Sequence, residues 1–157
     1  MKPRKKKSKH MRALRLWSWD EVIKAAPYLR SVIGSVREHW LEVLAAQRRL
    51  DQSTQQKSPL KREQIIEHEA RTVELQQAQE KFDDALVELN RVEVFLLDPV
   101  QGLALIPFRK EDDLAWYFFD HFSADGVIGW RYHHDPIEEC RPLSLLSDAI
   151  VNGAPVR

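Results

Sequence analysis

Val22, Ala26, Leu29, Ile33, Val36, Trp40, Val43 and Leu50 recur at steps of four and three, with Gln47 the one polar interruption. This spacing puts them on one stripe of an α-helix, a heptad seam of the kind that packs against another helix. Just upstream, Ser18 and Glu21 stand three apart with Trp17 and Val22 on either side. That is the pattern of a capping box closed by a hydrophobic staple. Pro27 removes one backbone donor from the early turns and predicts a kink around Ile23 to Pro27.

Residues 51–60 are polar and contain Pro59, which predicts a helix-to-helix loop. A second helix is expected from Lys61 to about Arg91, with Leu75, Ala78, Phe82, Ala85, Leu89 and Val92 at three and four spacing. Ile66, Ala70 and Val73 precede them with a shift in phase. At about 1.5 Å per residue the two helices are each roughly 45 Å long. Similar lengths across a short loop predict an antiparallel hairpin. Val32, Leu41, Leu44 and Ile65 fall off the seam and need another cover, either the C-terminal unit or a second hairpin completing a four-helix bundle.

After Asn90 the period changes from 3.6 to about 2. Residues 92–97, 102–108, 114–120 and 127–133 are short runs of branched and aromatic residues, parted by turn signals at 98–102, 109–113 and 123–126. They predict a small antiparallel meander. Alternation puts Trp116, Phe118, Trp130 and Tyr132 on one face and Phe119 and His121 on the other. The fold class expected is therefore α+β: a basic tail over 1–15, a helical hairpin over 16–92, a sheet packed on its base over 93–143, and a C-terminal tail over 144–157.

Charge changes this picture at one end only. The chain of 157 residues holds 24 Lys/Arg and 24 Asp/Glu, yet the first fifteen residues carry eight of the bases and no acid. The remainder is left with 16 bases against 24 acids. A segment so poor in apolar side chains is expected to be disordered. Lys5, Lys6, Lys7 and Lys9 at its centre are candidate nucleic-acid contacts, although the segment could equally fold back on the acidic body or stay solvated. No stretch approaches the roughly 20 apolar residues that span a bilayer, and the N-terminus lacks a signal-like apolar run. The expectation is a cytoplasmic protein without membrane contact. The single Cys140 cannot make an intrachain disulfide.

The chain resembles the bacterial and archaeal domain of unknown function 2203 family. The likeness rests on Trp17-Ser18-Trp19-Asp20-Glu21, Ala26-Pro27-Tyr28-Leu29, Asp98-Pro99-Val100-Gln101-Gly102-Leu103, Ile106-Pro107-Phe108, Tyr132-His133 and Arg141-Pro142, in that order. It spans about residues 17–143 and implies the same helical hairpin and sheet, with no activity attached. Phe118-Phe119 and Asp120-His121 stand where the family carries a Cys-Trp pair and a Gly-Glu turn.

Chemistry concentrates in residues 129–143, which hold His133, His134, several carboxylates, Cys140 and Arg141. Asp120, His133 and Arg141 are the candidate ligand-binding residues. His121, His133 and Cys140, with Asp120 or Asp135, could hold a divalent metal if the last strands bring them together. The spacing matches no named ligand motif. The plainer reading has these side chains satisfying backbone groups at the sheet edge, with Arg141 paired to Glu138 or Asp120. Trp116, Trp130 and Tyr132 could form a stacking platform for bases or, more simply, a core. No nucleophile motif or phosphate loop is present. The leading expectation is a non-enzymatic interaction or scaffold module, without cofactor, that forms a homodimer through its hairpin. The alternatives are a metal-binding protein or metal-dependent enzyme, and nucleic-acid association through residues 2–15.

Overall fold

A computed structural model describes residues 13–54 and 61–146. Helix α1 spans Trp19–Thr54 and helix α2 spans Arg62–Arg91. A four-stranded sheet follows, made of β1 (Phe95–Asp98), β2 (Leu103–Lys110), β3 (Asp113–Asp120) and β4 (Val127–Tyr132). The strands are antiparallel to their neighbours and adjacent in chain order, and a single 3₁₀ turn at Leu143–Leu145 comes after them. The architecture is the α+β hairpin and meander that the periodicity predicts. No helix among the described residues is long and apolar enough to cross a membrane.

The start of α1 is held as its sequence dictates. Ser18 N–H donates to Glu21 Oε1 at 3.3 Å and Glu21 N–H donates to Ser18 Oγ at 3.2 Å, while Trp17 and Val22 are both buried. The helix runs unbroken through Pro27. It also continues through Asp51–Thr54, which the polar composition had placed in the loop. There Gln47 donates to Asp51, and the Ser53 and Thr54 hydroxyls donate back to the carbonyls of Leu50 and Asp51, so polar side chains serve the helix rather than break it. Residues 55–60 lie outside the described residues.

Cross-helix partners run in opposite directions along the two helices: Tyr28 with Glu88, Trp40 with Phe82, Arg49 with Glu74, Ser53 with His68. Near the sheet the hairpin shares one core, in which Val22, Leu29, Val32, Ile33, Val36, Ala85 and Leu89 meet Val94, Ala104, Ile106, Phe108, Tyr117, Phe119 and Trp130. Val32 therefore needs no further cover, contrary to its off-seam position. Leu146, from the stretch read as a tail, also joins this core.

Register corrects two readings of the sheet. β1 begins at Phe95 rather than Val92, because Glu93 takes a left-handed φ of 59° and turns the chain off α2. Trp130 pairs with Tyr117, and Arg131 with Trp116. Trp130 and Tyr132 therefore face the helices with Tyr117, while Trp116 and Phe118 lie on the outer face. Alternation fixes faces within a strand, and only the pairing fixes them between strands. The inner face is tied by a Phe108–Tyr117 stack at 3.8 Å and an edge contact of Trp19 on Tyr117 at 5.6 Å. Burial in this layer pushes the Tyr117 hydroxyl well above the usual tyrosine range.

Leu29→Ala, at a position with no solvent exposure, is expected to cost about 2–5 kcal/mol by chemical denaturation, whereas Val87→Ala on the exposed face of α2 should stay within about 0.5 kcal/mol.

Candidate functional site

The chain leaves β4 at Tyr132, turns, and returns beside the same strand. Trp130 N–H donates to Arg141 O at 3.0 Å and Arg141 N–H to Trp130 O at 2.7 Å, while the Trp130 indole donates to Pro142 O. Asp135 closes the loop from inside. Its side chain, 6% exposed, accepts Arg141 Nε at 2.8 Å, Arg141 Nη2 at 2.9 Å and the Tyr132 N–H at 2.8 Å. Arg131 Nη1 donates to its backbone carbonyl. This is a bidentate fork with an extra amide, the strongest geometry open to a carboxylate and a guanidinium. The hydrogen bonds from Arg141, then that from Tyr132, hold the Asp135 carboxyl well below the usual carboxylate range, and Asp135 holds the Arg141 guanidinium above its ordinary value. The partner expected for Arg141 was Glu138 or Asp120. Asp135 takes that place because the turn after Tyr132 folds it inward, with Glu139 a more distant second partner at 3.7 Å.

The other candidates are dispersed. His133 N–H bonds Leu114 O near the start of β3, and its Nδ1 accepts the Trp116 indole N–H at 3.1 Å, which puts the His133 proton on Nε2. Asp120, at the far end of β3, accepts the Phe122 N–H and so closes its own turn. Cys140 lies against Gly129, and burial pushes its thiol up despite a bond from the Trp130 backbone that lowers it. His121 is a β3 length away from His133. Among the described residues no three His, Cys, Asp or Glu side chains gather as a metal would require. The proposed set of His121, His133 and Cys140 fails because the first two stand at opposite ends of one strand. The stacking platform fails too, since Trp116 and the pair Trp130 and Tyr132 occupy opposite faces. Lys5, Lys6, Lys7 and Lys9 lie outside the described residues.

His121 instead belongs to a second cluster, where α1 crosses the end of the sheet. Its Nδ1 lies 3.0 Å from Arg30 O; a carbonyl only accepts, so that nitrogen carries the proton. Gly34 makes room for the ring: a Cβ there would stand 2.7 Å from His121 Cε1. Gly102, at φ 69°, lets the neighbouring turn close over the same side chain. Arg30 Nη2 donates to the carbonyls of Ser123 and Ala124, and Arg37 Nε to Val100 O, so two arginines one heptad apart grip the two turns. Arg37 also lies 4.9 Å from the Phe122 ring, which is 63% exposed. An open groove of about 410 Å³ beside this junction is lined by Arg30, Ser31, Ser35, Glu38 and His121. Arg30 and Arg37 were not among the expected site residues. The signal was present in a glycine inside the helical pattern flanked by two arginines, but it needed the turns' position to be read.

Neither cluster holds a nucleophile with its base. The histidines spend a ring nitrogen on a backbone carbonyl or an indole, and the one thiol is shifted away from its reactive form. The His121 cluster fixes the sheet to the first half of α1, and the Asp135–Arg141 cluster holds the returning chain against β4. No family model, curated protein or solved structure matches this chain.

Asp135→Asn tests the clasp through pH. A depressed folded-state value means stabilisation that is complete above the unfolded carboxyl value of about 3.9 and lost as pH falls through the folded value. The variant is expected to be less stable than the parent at neutral pH, with the difference shrinking in thermal melts below about pH 4. A difference independent of pH would show that packing, not the ion pair, is what Asp135 contributes.

Proposed function

We propose that this protein is a non-enzymatic interaction module whose hairpin, in the half beyond the sheet, is a surface for self-association. The observation that carries the reading is the phase of α2. Its half-buried positions toward α1 in that half are Gln64, His68, Arg71 and Leu75, whereas Ile66 and Val73, 56% and 50% exposed, lie on the opposite face with Ala70. Ile65 and Leu44 are exposed as well. A hairpin serving only its own stability would turn these side chains inward. Contiguous exposed apolar surface on a regular element is the usual mark of a protein contact.

The likeness of motif order to the domain of unknown function 2203 family is part of the same proposal and brings no activity with it. The dispersal of His121, His133 and Cys140 weighs against a metal-dependent reaction.

Light scattering coupled to size exclusion is expected to give twice the chain mass or more at micromolar concentration, dissociating on dilution. A single-chain mass throughout that range sinks the reading.

A further inference from the structure

The outer side of α2 changes character along its length. Ile66, Ala70 and Val73 lie in the half beyond the sheet, and the same steps of four and three continue through Gln77, Glu80, Asp84 and Val87. Asp83 and Glu88 stand beside them. All four of these acids are exposed, and Val87 among them is 49% exposed. Glu80 is three and four residues from Asp83 and Asp84, and Asp84 is four from Glu88. Side chains at those spacings are neighbours on a helix, where like charges repel. Lys81 and Arg91 are on the same helix, yet among the described residues Glu80, Asp83 and Asp84 make no ion pair or hydrogen bond, and Glu88 accepts only from the Tyr28 hydroxyl at 3.3 Å.

The chain delivers cations to the same end of α2. The Trp17 indole N–H donates to Val92 O at 3.1 Å, one residue past the helix, and the Trp17 backbone N–H donates to Pro107 O at 2.8 Å. Residues 1–12 lie outside the described residues and join the chain at Ala13, four residues before Trp17. They hold seven Lys/Arg and no acid. Twelve residues span up to about 40 Å when extended, whereas Glu80 is about 18 Å along the helix from Val92. The other acidic stretch close to Trp17, residues 111–113 beyond Pro107, has bases of its own: Arg109 Nη2 pairs with Asp112 at 3.0 Å, and Lys110 adjoins it. Residues 80–90 set four acids against Lys81 alone.

We infer that residues 1–12 dock on the acidic stretch of α2 in the same chain, with Lys and Arg heads against Glu80, Asp83 and Asp84 and their methylene stems across Val87. The contact joins exposed charges and weakens with salt. It relieves the repulsion within α2 and keeps the bases from polyanions that would otherwise take them up without regard to sequence. The outer side of α2 is then divided between the chain's own basic segment over its acids and, in the self-association proposed above, a second copy over Ile66 to Val73. The docking does not depend on that association.

Carbodiimide, which joins an amine to a carboxylate in contact with it, tests the docking on the full chain. At an ionic strength of about 0.01 M, peptide mapping is expected to find Lys5, Lys6, Lys7 or Lys9 coupled to Glu80, Asp83 or Asp84. The yield is expected to fall at least about tenfold at about 1 M, as the screening length drops from about 30 to about 3 Å. In a mixture of isotope-labelled and unlabelled protein, each coupled pair of peptides should come from one chain. Coupling confined to other carboxylates, coupling insensitive to salt, or coupling between labelled and unlabelled chains overturns the docking and leaves self-association as it stood. Glu80→Gln, Asp83→Asn and Asp84→Asn combined are expected to speed trypsin cleavage after Lys5 to Lys9 about threefold or more with unchanged circular dichroism, because the segment spends more time off the helix. An unchanged cleavage rate overturns the docking as well.

Discussion

A helix of 36 residues laid on strands of eight cannot be covered along its whole length by that sheet. This mismatch governs the distribution of everything else. Where α1 has both α2 and the sheet against it, Val22, Leu29, Ile33 and Val36 reach 6% exposure or less, and the aromatic layer of Phe108, Tyr117 and Trp130 closes around them. Burial on that scale supplies most of the driving force for the fold, at about 25 cal/mol for each Å² of apolar surface removed from water. Beyond Arg37 no residue of α1 belongs to the shared core, and after the Trp40–Phe82 contact the pairs toward α2 turn polar, as Arg49 with Glu74 and Ser53 with His68.

The end of the covered zone is set by hydrogen bonds rather than by hydrophobic pattern. Arg30 and Arg37 donate to turn carbonyls, and His121 donates to the carbonyl of Arg30, so the sheet is keyed to one register of the helix. Buried Arg30 Nε finds no partner among the described residues, a cost of about 1–3 kcal/mol that the surrounding contacts offset. The Asp135–Arg141 fork does the equivalent at β4, holding the returning chain against the strand. Both clusters gather titratable side chains and spend them on holding chain segments together, one through backbone carbonyls and the other through an ion pair and a backbone amide. That use accounts for the placement of Asp135 and Arg141 within the polar stretch near the C-terminus.

The helices, the cap at Ser18 and Glu21, and the order of strands were legible because each rests on local spacing. The faces of the sheet were not. Trp116 and Trp130 look equivalent along the chain, and only the bulge that shifts register between Phe118 and Phe119 sends them to opposite sides. The partner of Arg141 was hidden for a related reason, since Asp135 was read as an edge carboxylate and lies inside because its turn reverses. Arg30, Gly34 and Arg37 are unremarkable within a helical pattern until two turns distant in sequence are brought to them. Residues 51–54 misled because the polar side chains that favour loops can also satisfy helical carbonyls.

The polar seam of the distal hairpin also bears on dynamics. Arg49–Glu74 at 3.4 Å and Arg71–Glu74 at 3.2 Å are partly exposed pairs, of a kind worth about 0–1 kcal/mol each. Ser53 and His68 add one neutral hydrogen bond. Apart from the buried Val43 and Ala46 the two helices share little apolar contact there, so they would open locally at lower cost than near the sheet, because helical segments of this length depend on tertiary packing more than on propensity. Covering the exposed Leu44, Ile66 and Val73 in the self-association proposed above would add apolar burial where the single chain has least of it. The weakest part of the fold and the site of association then coincide, so ordering of the distal hairpin and pairing of two chains become one equilibrium.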